Sequence, residues 1–378
     1  MAMLFAGVAT LFQTLGMGPV GARLPIMQGT SFAFVAVLAG VAATQGLGVA
    51  LTACVIAGII HFLLGSVIGS LRWMFPPLVT GLVILAIGLY LIPVGIKYAA
   101  GGAADFQMAA ESFGSLKHWS VALCVIIVAL LCKFLSSGLI SNAAVLIGII
   151  AGYLLAFANG MVNFAPVGGA SWFAGLQPFP YGFEFSLGAV IGVTLVSIVS
   201  AIETVGDASA TTKAGAGREA TDEEISGATY ADGLGTAVAG VFGGLPNTSF
   251  SQNVGIVGMT GIMSRHVVTI AGIIMIICGL IPKIGAIVAS MPLPVLGGGV
   301  IVMFGMVASA GMNVLGEIKM TRRNMVIIAL SLSVGLGLNL VPSAVQYLPG
   351  IVKVLATSAV APTALVAVVL NLILPDEE

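Results

Sequence analysis

Charge is scarce in this sequence. Lys, Arg, Asp and Glu make up 7% of its 378 residues, where a soluble domain carries about 25%. With 59% hydrophobic residues, there is too little polar surface to cover a core in water, and a bilayer is the solvent that fits. The formal net charge is −1 with no basic patch, which argues against a nucleic-acid partner. The four cysteines, Cys54, Cys124, Cys132 and Cys278, lie in apolar segments without metal-type spacing or a disulfide framework. There is no GxSxG, no HExxH, no Walker loop and no CxxC. Nothing therefore points to an enzyme, a metal, a cofactor or direct use of ATP. His61, His118 and His266 are scattered; the last two are expected at the membrane interface and His61 among helix contacts. Met1–Gly18 has no basic leading segment and runs into further apolar sequence, so it does not read as a cleaved leader.

Glycine, by contrast, is abundant. Its 51 residues sit inside apolar runs, where small residues let membrane helices approach closely. At about 20 apolar residues per crossing, the sequence predicts spans at 3–20, 31–47, 48–70, 77–95, 118–135, 141–158, 185–206, 228–244, 252–263, 267–290, 293–312, 324–341 and 351–374. Two of these are half-helices led in by extended stretches: 31–47 after Gly29-Thr30-Ser31-Phe32, and 252–263 after Gly244-Leu245-Pro246-Asn247-Thr248-Ser249-Phe250. Broken helices at membrane depth mark transport sites. Placing the 207–227 loop in the cytoplasm puts nine Lys and Arg inside and four outside, with a cytoplasmic C-terminus. Trp73, Trp119 and Trp172 fall near span ends or in loops, as an aromatic belt does.

The chain is internally repeated. Thr30-Ser31-Phe32 recurs as Thr248-Ser249-Phe250, Ile56–Ile60 as Ile270–Ile274, and Pro77, Gly81 and Gly88 as Pro294, Gly298 and Gly305. The offsets agree at roughly 217 residues. A counterpart for the span starting near Phe185 would lie upstream of Met1, so a first span is expected to be missing from a complement of fourteen. Seven spans per half give the halves opposite orientations, with the site at the repeat interface. The fold class expected is thus an all-α polytopic membrane protein of two inverted seven-span repeats, first span missing, with two broken half-helices preceded by short extended strands.

Carboxylates inside a membrane are costly and mark candidates. Glu203 and Asp207 are four apart on one predicted helix face. Asp232 lies in the next span. Asp207 and Asp232 also fit a structural role, bonded to backbone or to each other. Glu219, Asp222, Glu223 and Glu224 read as a solvated loop, and Asp376, Glu377 and Glu378 as a solvated tail.

The stretch Ser251-Gln252-Asn253-Val254-Gly255-Ile256-Val257-Gly258-Met259-Thr260-Gly261 resembles the signature of the nucleobase–ascorbate transporter family. Gln252, Asn253, Gly255, Thr260 and Gly261 fill each constrained place, in the family order after Glu203 and Asp232. The resemblance implies a core, substrate-binding domain (1–72 and 184–290), a gate domain (73–160 and 291–378) that often forms a homodimer, and an extracytoplasmic connection (161–183). It implies that Glu203 hydrogen-bonds a nucleobase, that Gln252 is the second side-chain ligand and that Phe34 contacts the base. Asp207, Asp232 and Asn253 match polar positions important for transport in the xanthine and urate branch. Backbone groups of Ala33, Phe34 and Ser251 would complete the set. An ionised Glu accepts only, whereas a Gln amide both donates and accepts, so the pair can read a purine edge. Gln252 and Gly261 resemble xanthine and uric acid permeases, where uracil permeases usually carry Glu and Arg.

The expected function is proton-coupled uptake of xanthine or uric acid, with Glu203, Asp207 and Asp232 as proton-coupling candidates. A uracil or other nucleobase permease, and an anion transporter of the same fold, are the alternatives.

Overall fold

A computed structural model describes residues 1–108, 110–173 and 175–375; the expected acidic tail Asp376, Glu377 and Glu378 lies outside them. The described residues form eighteen α-helices and one two-stranded ribbon. In order these are α1 (Ala2–Leu15), β1 (Gln28–Thr30), α2 (Val35–Gln45), α3 (Leu47–Ile68), α4 (Pro77–Ala100), α5 (Ala103–Gln107), α6 (Leu116–Leu135), α7 (Gly138–Asn142), α8 (Ala144–Ala158) and α9 (Ala165–Gly169). There follow α10 (Leu187–Ala216), α11 (Asp222–Val241), β2 (Asn247–Ser249), α12 (Ser251–Thr260), α13 (Arg265–Leu280), α14 (Pro282–Ala289), α15 (Leu293–Gly316), α16 (Arg322–Leu340), α17 (Gly350–Ala356) and α18 (Val360–Ile373). Six of them, α3, α4, α6, α10, α15 and α16, are each long and apolar enough to cross a membrane, and α13 and α14 pass the same test when taken together. The chain is a multi-pass membrane protein.

Local chemistry sets the boundaries. Helix α13 ends at Leu280 and α14 starts with Pro282 in its first helical position, because proline cannot continue the preceding ladder. Helix α10 does not stop near residue 206 as the sequence predicts. It runs to Ala216, where Gly217 adopts the left-handed conformation (φ 65°) and closes it. The acids expected in a loop after it are in part helical. Thr221 and Glu224 form a capping box, and Asp222, Glu223 and Glu224 make the first turn of α11. Acidic side chains are favourable at that end of a helix dipole.

The chain divides into two compact units. The smaller comprises Gly88–Phe173 and Ile281–Ala308. In it α6 packs on α8, and a methyl on Gly148 of α8 would come within 2.6 Å of the Val125 carbonyl of α6. Tyr153 and Ser290 share a 3.0 Å hydrogen bond.

The larger unit comprises Met1–Ile87, Ala174–Leu280 and Ser309–Glu378. Its packing follows the sequence repeat in a crossed manner. By the repeat offset α1 matches α11, and α3 matches α13. Yet α3 packs against α11, and α1 against α13. Both contacts are close glycine approaches: a methyl on Gly58 (α3) would sit 2.5 Å from the Ala237 nitrogen (α11), and one on Gly7 (α1) 2.5 Å from the Gly272 carbonyl (α13). The matching strands β1 and β2 pair with each other, antiparallel, with Gln28 opposite Ser249 and Thr30 opposite Asn247. Self-pairing of repeat mates in opposite directions is what an inverted repeat requires. The expected broken-helix, inverted-repeat fold is present.

Candidate functional site

The site grows out of the ribbon. Three-residue strands leave backbone groups that nothing in a bilayer would satisfy unless the protein does. The two strands satisfy each other, and the pairing continues one step beyond each end: Ser31 donates its N–H to the Pro246 carbonyl and Phe250 to that of Met27, both at 2.9 Å. Threonines on neighbouring helices take the outward groups. Thr10 of α1 accepts from the Gln28 N–H at 3.0 Å and donates to the Gln28 carbonyl at 3.3 Å. Thr236 of α11 does the same for Asn247, at 3.0 and 3.2 Å. Each strand then runs directly into a helix start. β1 leads through a 3₁₀ turn, Phe32–Phe34, to α2, and β2 leads to α12. Because the strands are antiparallel, the two half-helices leave opposite ends of the ribbon.

Against this ribbon α10 and α11 bring three buried carboxyl groups. Asp232 accepts from Gln28 Nε2, from Thr204 Oγ1 and, at 3.4 Å, from Thr248 Oγ1. Asp207 accepts from Ser249 Oγ at 2.7 Å. Ser200 donates to Thr248 Oγ1 at 3.0 Å, which ties α10 to the same strand. Every one of these partners is neutral, and no ion pair reaches the three acids among the described residues. The two aspartates are therefore held by side chains, and not by backbone alone or by each other.

Glu203 differs. It is 6% exposed, and its Oε2 is buried without a hydrogen-bond partner. The Oδ1 of Asp207 and the hydroxyl of Ser251 are buried and unpartnered as well, and the Ser251 side chain stands near both Glu203 and Asp207. Three hydrogen-bonding atoms thus share one neighbourhood at the start of α12, close to one another but without a well-formed hydrogen bond to any other group among the described residues. Buried polar atoms are seldom left so, which makes this group the candidate site. Gln252 is half-buried and makes no side-chain hydrogen bond among the described residues. Asn253 donates to the Pro25 carbonyl, which anchors the first turn of α12 to the segment before β1. Ala33 and Phe34 are 3% and 1% exposed, packed in an apolar cluster with Val37, Cys54 and Val193.

The structure thus brings together Glu203, Asp207, Asp232 and Ser251, with Gln252 and Asn253 in the same helical turn as Ser251. It adds Gln28, Ser249, Thr204 and Thr248, which sequence reasoning passed over. Part of their signal was available: Thr248 and Ser249 lie in an extended stretch already read as a repeat mate, Gln28 immediately precedes the other, and strand residues opposite each other share a face.

The sequence profile of a permease family matches residues 1–344. The chain is 38% identical over 371 residues to a uric acid transporter of Escherichia coli (strain K12), covering 97% of this chain and 76% of that one. It is 34% identical over 369 residues to a xanthine permease of Bacillus subtilis (strain 168), with coverage of 97% and 83%. Among solved structures, it is similar in fold to the transmembrane domain of a cyanobacterium bicarbonate transporter, with a TM-score of 0.60 at 15% identity over 97% of this chain and 96% of that one. It is similar also to SLC26A9, with a TM-score of 0.63 at 13% identity over 96% and 59%.

Proposed function

The chain belongs to this permease family, a family of transporters and not enzymes, and on that premise we propose that it takes up an oxidised purine, xanthine or uric acid, together with a proton. The observation that carries the reading is the group of unpartnered atoms at the start of α12: Glu203 Oε2, Asp207 Oδ1 and Ser251 Oγ. Carboxylate oxygens accept and a hydroxyl does both, so the group fits the alternating N–H and C=O edge of an oxidised purine. The free amide of Gln252 and the backbone of Ala33, Phe34 and Ser251 supply further donors and acceptors, and the Phe34 ring supplies an apolar face. Names of relatives 38% and 34% identical to the chain support the same substrate class.

The proton enters the reading through charge. Three carboxyl groups surrounded by neutral partners form a cluster for which a proton is the simplest counter-charge. Glu203, Asp207 and Asp232 are the candidates to carry it. In this reading residues 1–72 and 184–290 act as the substrate-carrying core, and 73–160 and 291–378 as a gate through which two copies associate. The 161–183 segment is then extracytoplasmic and the C-terminus cytoplasmic.

The fold likeness to anion transporters makes carriage of a small anion the second reading. The uncompensated acids beside the ribbon disfavour it. Uptake of radiolabelled xanthine, uric acid, uracil and bicarbonate into cells lacking their own permeases, with and without a protonophore, tests both. Protonophore-sensitive uptake of a purine is expected. Bicarbonate uptake without purine uptake would overturn the purine reading.

A further inference from the structure

His61 sits in the middle of α3 and is 1% exposed. Its Nδ1 lies 2.7 Å from Ser197 Oγ on α10, and its Nε2 is buried with no partner. One turn earlier on α10, Thr194 Oγ1 is buried and unpartnered too. Tying α3 to α10 takes a single hydrogen bond, which an amide or hydroxyl would supply. A second, bare ring nitrogen is unfavourable in that environment and calls for a different explanation.

The surroundings provide one. Ser197, Ser200, Thr204, Asp207 and Thr211 recur on α10 at intervals of three and four residues, and each is at most 1% exposed. They form one buried polar face that begins at His61 and passes Glu203. The rise from Ser197 to Glu203 is about 9 Å. Between them Ser200 bonds Thr248 at 3.0 Å, and Thr248 reaches Asp232 at 3.4 Å. The Leu47 end of α3 meets the segment before α10, where the Glu184 N–H donates to Thr52 Oγ1 at 3.2 Å. That end is the extracytoplasmic one in the orientation proposed above, so His61 lies on the outer side of Glu203.

We propose that His61 and Ser197 form a second protonatable station, through which the coupling proton passes between the extracytoplasmic face and Glu203. The inference rests on the proton-coupled reading of the site. Imidazole is the side chain whose proton exchange lies nearest neutral pH. The Nε2 lone pair takes a proton arriving from outside. The imidazolium releases its Nδ1 proton to Ser197 Oγ, while that hydroxyl passes its own proton on towards Ser200, from which Thr248 and Asp232 lead to the carboxyl cluster that holds Glu203. The ring is left neutral with its proton on Nε2, and a flip of the imidazole about Cβ–Cγ, with reverse exchange of the Ser197 hydroxyl, readies it for the next proton. No competing charge stands at His61. Helix α2 has no titratable side chain, and α11 offers Asp222, Glu223, Glu224, Tyr230 and Asp232. Of these, Tyr230 packs on Phe62 at 4.9 Å and Asp232 is held by Gln28 and Thr204. On α10, Glu203, Asp207 and Lys213 all lie further along the helix than Ser197. None of these groups bonds to His61 among the described residues.

The test uses the full chain in proteoliposomes with radiolabelled uric acid and xanthine, in two modes: net uptake driven by an imposed pH gradient, and one-for-one exchange without a gradient. His61→Gln and Ser197→Ala are expected to lower gradient-driven uptake by at least about tenfold and flatten its pH profile, while exchange persists. His61→Gln keeps a hydrogen bond to Ser197 and guards against simple misfolding. Equal loss of both modes in both variants would mark His61 as a helix tie only and overturn the proposal, as would unchanged uptake. If the unaltered protein exchanges neither purine, the purine reading fails first, a separate result visible before any variant is compared.

Discussion

Gln28 and Ser249 stand opposite each other in the two-stranded ribbon, and each holds a different aspartate: Gln28 donates to Asp232 and Ser249 to Asp207. One strand pair therefore sets the positions of two acids on two different helices. Its register fixes them together, since a one-residue slip would turn both side chains to the other face.

Removing an acid from this arrangement strands its donors. Asp232→Ala leaves Gln28 and Thr248 without their side-chain acceptor and Thr204 with only the Ser200 carbonyl, at 3.1 Å. At about 1–3 kcal/mol for each buried group left unpaired, the protein is expected to lose thermal stability in detergent. Ser249→Ala releases only Asp207 and should cost less. Equal melting temperatures for Asp232→Ala and the unaltered protein would contradict the network.

Glu203 strands at most the neighbouring Ser251 hydroxyl, which Gln at the same position can still meet, so its replacement by Gln should spare the fold and weaken the ligand. Glu203→Gln is expected to insert and melt normally, yet to lose about tenfold to a hundredfold in purine affinity, the equivalent of about 1–3 kcal/mol for one charged hydrogen bond. Binding to purified protein by isothermal calorimetry checks this. Unchanged affinity would remove Glu203 from the site.

The crossed helix pairs predict their own weak points. A methyl at Gly58 meets the Ala237 backbone at 2.5 Å, and one at Gly7 meets the Gly272 backbone at the same distance. Backbone cannot rotate away as a side chain can. Gly58→Ala and Gly7→Ala should each destabilise by about 1–3 kcal/mol through overpacking. Substitution at Gly40, whose added methyl meets nothing within 4 Å, should be far milder in the same melting assay.

The start of α11 gives a pH-dependent prediction. Hydrogen bonding from Arg218 holds the Glu224 carboxyl below its ordinary range, helped by Thr221. A depressed folded value means that the stabilisation is present in full above the ordinary carboxylate pKa of about 4.3 and is lost as pH falls through the lower folded value. Thr221→Ala removes the cap at about 1 kcal/mol. Hydrogen exchange of the α11 amides should rise in that variant at neutral pH, and in the unaltered protein only in acid.

Much of this was legible beforehand because membranes write in coarse letters. Apolar runs located the helices, and the recurrence of Thr-Ser-Phe located the two strands and their relation. The acids were visible since Glu203, Asp207 and Asp232 interrupt segments that otherwise exclude charge. What stayed hidden depends on contacts between distant positions. Nothing local marks Gln28 as the partner of a residue 204 positions away. The continuation of α10 to Ala216 was missed because its last turns, Ser209–Ala216, are polar enough to read as a loop. The helix nonetheless continues through Gly206 and Gly215 and ends only where Gly217 turns left-handed.

The crossed pairing of the repeats also has a consequence in time. Thr14 of α1 shares a 3.0 Å hydrogen bond with Thr269 of α13, 255 residues later. At a synthesis rate of about 5–20 residues per second, α1 waits roughly 13–50 s before its neighbour exists. For most of that interval the first half of the ribbon has no second strand, and until the chain has grown 204 residues past it Gln28 has no aspartate to hold. The nascent protein cannot finish one repeat and then add the other. It must keep α1 in the bilayer without its partner until α13 arrives, and a ribosome that stalls before β2 would leave behind a chain with half a ribbon and no site at all.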